Sequence, residues 1–256
     1  MSDKSLALKG FDDINKILEK HSIQLWADLG TLLGFVRDGA LIPWEEDIDV
    51  GCFQQMEDFS NVVQLDLFTH GWLCVDKYKG LGIQDIKKTA KIDIKFYEEN
   101  EDSVSANFIT YRHKKVMAFA DFLVWIFNLY PAYFKYETSL PPEKLQLIEG
   151  FVAFFVPNKI RKAILKIAWF LHNNVGINGY IVKTPREYIL PLQKIKINKY
   201  QFLVPAMSIG YVEKMYGENW KKPMQIIEGT NSYPDGSSRY LTKRIMDKSP
   251  DSVEHA

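Results

Sequence analysis

The segment Gly30 to Gly51, "GTLLGFVRDGALIPWEEDIDVG", sets Glu45, Glu46, Asp47 and Asp49 almost side by side, directly after an apolar Leu41-Ile42-Pro43-Trp44. Like charges at that spacing repel, so the run is either a solvated loop or the seat of a cation. The piece "DIDVGCF" has strand character. Strand alternation sends Asp47, Asp49 and Gly51 to one face and Ile48, Val50 and Cys52 to the other. Two residues of strand rise separate the two aspartates by roughly 7 Å at Cα, close enough for both side chains to converge on one ion. Upstream, Thr31 to Val36 reads as helical with Thr31 as its N-cap, and Arg37-Asp38-Gly39 closes that turn. A helix that opens on Gly30-Thr31 offers backbone N–H groups to an anion.

Working outward, Phe11, Ile14, Leu18 and Leu25 recur at helical spacing, and a short strand follows at Gln24 to Ala27. "MEDFSNVVQLDLFTHG" reads as a helix stopped by Gly71. "WLCVDKY", "GLGIQDI" and "KIDIKFYEE" read as three strands, the last with Ile92, Ile94 and Phe96 on one face and Asp93 and Lys95 on the other. The expected fold is thus α/β (α+β), a mixed-sheet core over residues 8–100. Residues 101–228 form a helical and strand-bearing region completing the same domain, and residues 229–256 a polar tail. In the second region "MAFADFLVWIFNLY" and "NKIRKAILKIAWFLHN" read as helices flanking Pro141-Pro142. Short strands and a helix at "SIGYVEKMYG" come after them.

Lys plus Arg and Asp plus Glu number 32 each, which excludes a global field that would gather nucleic acid, so an anionic substrate must be met locally. The two cysteines, Cys52 and Cys74, have no metal-ligand spacing and read as small apolar filler of a reducing compartment. The amino terminus lacks a signal-like apolar core, and Val116 to Tyr130 is too short and too interrupted to span a membrane. A cytoplasmic protein is the expectation. "NKIRKAILKIAWFLHN" carries apolar residues along one side and Lys159, Arg161, Lys162 and Lys166 on the remainder. That pattern suits either core packing or peripheral contact with a membrane.

A lone Asp-x-Asp is a weak signal. It gains weight from its apolar flanks, from the Gly30-Thr31 helix start, and from Asp93, set between Ile92 and Ile94 on a later strand. Three carboxylates converging from two strands demand a divalent cation, and Mg²⁺ or Mn²⁺ bridging a phosphorylated substrate suits oxygen ligands. Gly30-Thr31, Asp47-x-Asp49 and a distal Asp93 resemble the nucleotidyltransferase superfamily. More narrowly, the whole opening segment resembles the LicD/fukutin family, through G-[ST]-L-L-G, an Arg, a Gly, I-P-W and the acidic pair. "FLVPAMSIGYVEKMYGENWKKP" resembles that family's closing pattern.

The resemblance implies a metal-dependent phosphotransferase. It would move a phospho-alcohol, such as phosphocholine or ribitol phosphate, from a CDP-linked donor to a glycan or lipid-linked glycan hydroxyl. Carried over by position, Asp47 and Asp49 are metal ligands, and Asp93 is the third acid, as ligand or as base for the acceptor hydroxyl. Gly30 and Thr31 face the donor phosphates, and Arg37 offsets their charge. Glu45 and Glu46 stand outside the ligand set, Glu45 beside it or facing solvent. Two rival readings remain: nucleotidyl transfer onto a protein, RNA or small molecule, and a non-catalytic scaffold of the same fold. Trp44 reads as a packing anchor, the histidines as non-ligands, and Arg112-His113-Lys114-Lys115 as a solvated helix start or a phosphate contact.

Overall fold

The computed structural model describes residues 4–45, 47–77, 80–85, 90–111, 115–116, 119–120, 123, 156–171, 175, 177–224 and 253–255. Glu46, the basic cluster at 112–114, Pro141-Pro142, and most of the apolar run Val116–Tyr130 and of the tail lie outside them. The chain forms two compact units, one of residues 1–108 with 180–256 and the other of residues 109–179.

The first unit begins with helix α1 (Lys4–Glu19), whose Phe11, Ile14 and Leu18 are fully buried, as their helical spacing requires. Strand β1 (Leu25–Ala27) leads into helix α2 (Leu29–Asp38), and after the Ile-Pro-Trp turn comes β2 (Ile48–Cys52). Helix α3 (Asn61–Thr69) follows a single 3₁₀ turn at Met56–Asp58. Three strands then run as the alternation predicts: β3 (Trp72–Lys77), β4 (Gly80–Asp85) and β5 (Lys91–Glu99).

Strand β5 organises the sheet. One of its edges pairs in parallel with β2, from Ile48 opposite Ile92 to Cys52 opposite Phe96. Its other edge is shared, β4 covering the first half and β6 (Ser103–Tyr111) the second, both antiparallel. On the far side β2 pairs antiparallel with β1. The sheet does not stop at Asn100. After β7 (Ile177–Pro185) and a single helical turn, α5 (Arg186–Ile189), the hairpin β8 (Gln193–Ile197) and β9 (Tyr200–Val204) returns to lie beside β1 in parallel. The order is β10-β7-β6-β5-β2-β1-β9-β8, with β10 formed by Val253–His255. Mixed parallel and antiparallel pairing with helices confirms the expected α/β class. The last helix of this unit, α6 (Ser208–Tyr216), buries Tyr211, Val212 and Met215.

Trp26, fully buried on β1, shows how tightly β1 and β2 meet. Its ring lies 4.6 Å from that of Phe53 and 5.2 Å from that of Tyr97, and it covers Gly51 directly opposite. A Cβ on Gly51 would stand 2.2 Å from the indole, so only glycine fits this register position. Cys52 is buried, and burial pushes its thiol up to about 12, whereas Cys74 is partly accessible. Folded protein is therefore expected to release at most one equivalent from a thiol-reactive disulfide reagent at pH 8, and a second only in denaturant. Two fast equivalents in native buffer would contradict the packing of β2.

The second unit contains helix α4 (Asn158–Leu171), which buries Ala168. No helix among the described residues is long and apolar enough to cross a membrane.

Candidate active site

The parallel β2–β5 register places Asp49 directly opposite Asp93. Adjacent strands lie about 4.8 Å apart, and residues opposite one another point to the same face, so the two carboxylates are neighbours by construction. The neighbouring register position brings Asp47, just ahead of β2, against Lys91 at the start of β5. There Asp47 Oδ2 and Lys91 Nζ are 3.3 Å apart. Sequence reading had missed Lys91, because only the pairing of two distant strands identifies it as the partner of Asp47.

Helix α2 is docked onto this strand by its first turn. Asp28 N–H donates to the Asp49 carbonyl at 3.1 Å, Asp49 N–H donates to Thr31 Oγ1 at 2.9 Å, and Gly30 N–H donates to Asp49 Oδ2 at 3.1 Å. Thr31 is thus not the N-cap. The helix starts at Leu29 with Asp28 as the flanking residue, and the Thr31 hydroxyl serves β2 instead. Gly30 is needed for proximity, since a Cβ there would stand 3.0 Å from Asp49 Oδ2 and 3.7 Å from the Glu45 carboxyl carbon. Glu45 therefore flanks the acidic pair rather than facing solvent, and the Lys4 ammonium binds its backbone carbonyl.

The electrostatics follow from this crowding. Burial raises the Asp49 carboxyl well above the ordinary carboxylate range, and the charges of Asp47, Asp93, Glu45 and Asp28 add to the rise. Burial opposes the charge on Lys91, but the combined pull of Asp93, Asp47 and Asp49 outweighs it and raises the ammonium. Both shifts describe a surplus of negative charge at one point, held partly by a single lysine.

Beneath the pair lies an assembly that the sequence did not announce. Asp28 is fully buried and accepts from two tyrosine hydroxyls, Tyr97 at 2.5 Å and Tyr211 at 3.0 Å, while the two hydroxyls lie 3.1 Å apart. Burial raises the Asp28 carboxyl against the opposing effect of these bonds, and it raises both phenols as well. Tyr97 comes from β5 and Tyr211 from α6, so a residue more than a hundred positions later holds the segment that presents Gly30. A clue existed in the sequence: Tyr97 continues the Asp93–Lys95 alternation onto the acidic face.

Arg37 does not join the acids. It sits in the last turn of α2, about 10 Å along the helix from Gly30, and its guanidinium grips Asp38 at 2.6 and 2.8 Å. Trp44 packs against the hydrophobic core, as an anchor would. His21 and His70 both approach Asp66 on α3.

Among the described residues no three acidic, histidine or cysteine side chains form a ready-made metal cage. The donor chemistry nonetheless fits a hard divalent ion: all-oxygen ligands on Asp49 and Asp93, with Asp47 alongside. Asp47 would have to exchange Lys91 for the ion.

Comparison with known proteins identifies the family. The family described as LicD/FKTN/FKRP, nucleotidyltransferase domain, matches residues 22–159, more than half of the chain. An uncharacterised protein of Rickettsia typhi is 29% identical over 132 residues, 52% of this chain and 36% of its own length. Ribitol 5-phosphate transferase FKRP of Homo sapiens is 41% identical over 49 residues, 19% of this chain and 10% of that protein. The chain thus spans about a third or less of the relatives it matches. Among solved structures, the antibiotic-resistance factor ANT(2'')-Ia overlaps 64% of this chain and 91% of its own. At 10% identity and a TM-score of 0.33, that likeness is too low to carry weight.

Proposed function

Since the chain belongs to the LicD/FKTN/FKRP nucleotidyltransferase-domain family, we propose that it is a phosphotransferase of glycan modification. In this reading it transfers a phospho-alcohol, of the ribitol phosphate or phosphocholine kind, from a CDP-activated donor to a glycan or glycolipid hydroxyl. The observation that carries the reading is the in-register Asp49–Asp93 pair with the Gly30 N–H bonded to Asp49 at the opening of α2. A helix start and a carboxylate pair on one face suit a phosphorylated ligand whose negative charge needs a cation to bridge it.

Asp49, Asp93 and Asp47 would hold Mg²⁺ or Mn²⁺, which when bound neutralises the donor diphosphate. Everything else falls to the chain. The first turn of α2 would lie beside the phosphates, with Gly30 and Thr31 fixing the distance between helix and strand through their bonds to Asp49. Asp93, opposite Asp49 in the register, either completes that metal site or instead draws off the acceptor hydroxyl's proton as the phosphodiester forms and cytidine monophosphate leaves. Lys91, freed from Asp47, supplies the local cation assigned to Arg37 on sequence grounds. Positioning and charge compensation account for most of the expected acceleration, as in phosphoryl transfer generally.

The test is release of cytidine monophosphate from a panel of CDP-alcohols, with Mg²⁺ and a glycan acceptor present. Chelation with EDTA is expected to remove at least 99% of turnover, and Mn²⁺ to restore it. Pyrophosphate release from a nucleoside triphosphate instead would select nucleotidyl transfer. Absence of divalent-ion binding by calorimetry, together with no turnover, would select a scaffold role.

A further inference from the structure

Helix α4 has two faces of different character. Ala168 is fully buried, and Arg161, Ile164, Leu165 and Leu171 on the same side are partly so. The opposite side carries Ile160, Ala163, Ile167 and Phe170, at spacing i, i+3, i+7, i+10, which is one continuous stripe. These are not half-hidden residues: Ile160 is 52% exposed, Ile167 58% and Phe170 61%. Along one flank of the stripe run Lys159, Lys162 and Lys166, all exposed. The helix contains no acidic residue, although the chain as a whole is neutral. Phe119, in the same unit, is also 54% exposed.

We propose that this outer face of α4 docks onto an anionic lipid bilayer. An apolar stripe wide enough for large side chains, bordered by cations and free of anions, is what an interfacial helix presents. The stripe enters the acyl boundary and the lysine stems reach back to the headgroups. A second copy of the chain is a poor occupant, because face-to-face pairing would oppose two lysine rows. Long lysine side chains can cover the neighbouring apolar stripe in water and uncover it at a surface. The docking does not rest on the catalytic reading, and it would stand if that reading failed.

Flotation of the full chain with vesicles tests it. Vesicles of 30% phosphatidylserine in phosphatidylcholine are expected to carry the protein at 50 mM NaCl, and pure phosphatidylcholine vesicles are not. Raising salt to 500 mM should release most of it, as the screening length shrinks. Each lysine near such a surface contributes roughly fivefold in binding, so K159Q/K162Q/K166Q is expected to weaken partitioning at least about 50-fold. I167S/F170S should weaken it independently. All these positions are exposed, so both variants should keep the parent melting temperature and circular dichroism. Equal binding to neutral vesicles, or binding unaffected by either variant, would overturn the assignment. So would a concentration-dependent dimer that I167S/F170S abolishes in the absence of lipid binding. Release of cytidine monophosphate from a soluble donor should be unchanged in both variants, which separates this test from that of the active site.

Discussion

Asp49→Asn is expected to lower transfer by about two to three orders of magnitude, the usual scale for removing a group that stabilises charge at the reacting centre, while leaving the metal-free fold as stable as the parent or more so. The two effects share one cause. Asparagine retains an oxygen to accept the Gly30 N–H, so the docking of α2 on β2 survives. It removes the one carboxylate that faces Asp47, Asp93, Glu45 and Asp28 together. The sign of the pH dependence follows from the raised Asp49 carboxyl. A carboxylic acid whose folded-state value lies above its unfolded value favours the fold most at low pH, and loses that contribution as pH rises through the folded value. The melting temperature of Asp49→Asn relative to the parent should therefore climb as pH rises above the ordinary carboxylate range in EDTA. Added Mg²⁺ should raise the parent's melting temperature and leave the variant's nearly unmoved. A variant less stable than the parent throughout that rise would refute the charge-crowding account.

Asp28→Ala should damage the fold itself. It strands two buried tyrosine hydroxyls, which retain only each other at 3.1 Å. Losing the buried acceptor costs about 2–4 kcal/mol, which for a chain of this size lowers the melting temperature by about 5–15 °C. Tyr211→Phe removes one of the two bonds and should cost only about 1 kcal/mol. Because the Asp28 side chain anchors the start of α2, whose Gly30 N–H bonds Asp49, the surviving fraction should show impaired turnover as well. Guanidinium denaturation of Asp28→Ala, Tyr211→Phe and the double variant gives the coupling directly. Additive losses would mean that the two residues do not act on one another.

Local signals in this chain travelled well. Strand alternation set Asp49 and Asp93 each opposite the apolar face of its own strand before any pairing was known, and helical spacing located α1, α4 and α6. The N-cap of α2 was placed three residues late, at Thr31 rather than Asp28, because capping by Thr31 is the locally favoured reading. The Thr31 hydroxyl is instead engaged by a strand eighteen residues away. Arg37, expected to offset phosphate charge, has Asp38 as its partner, a pairing that periodicity does not announce.

What the sequence by itself determined is the acidic motif, its family, and the alternation that puts the carboxylates on one side. Only the tertiary structure decided who their neighbours are. It set β2 beside β5 in parallel register, gave Lys91 to Asp47, brought Glu45 over Gly30, and carried Tyr211 from α6 to Asp28. The physical reason is that periodicity reports the face of an element and nothing about its partner. Partners are chosen by long-range strand pairing and by the need of a buried carboxylate for donors, and neither leaves a mark at fixed spacing in the chain.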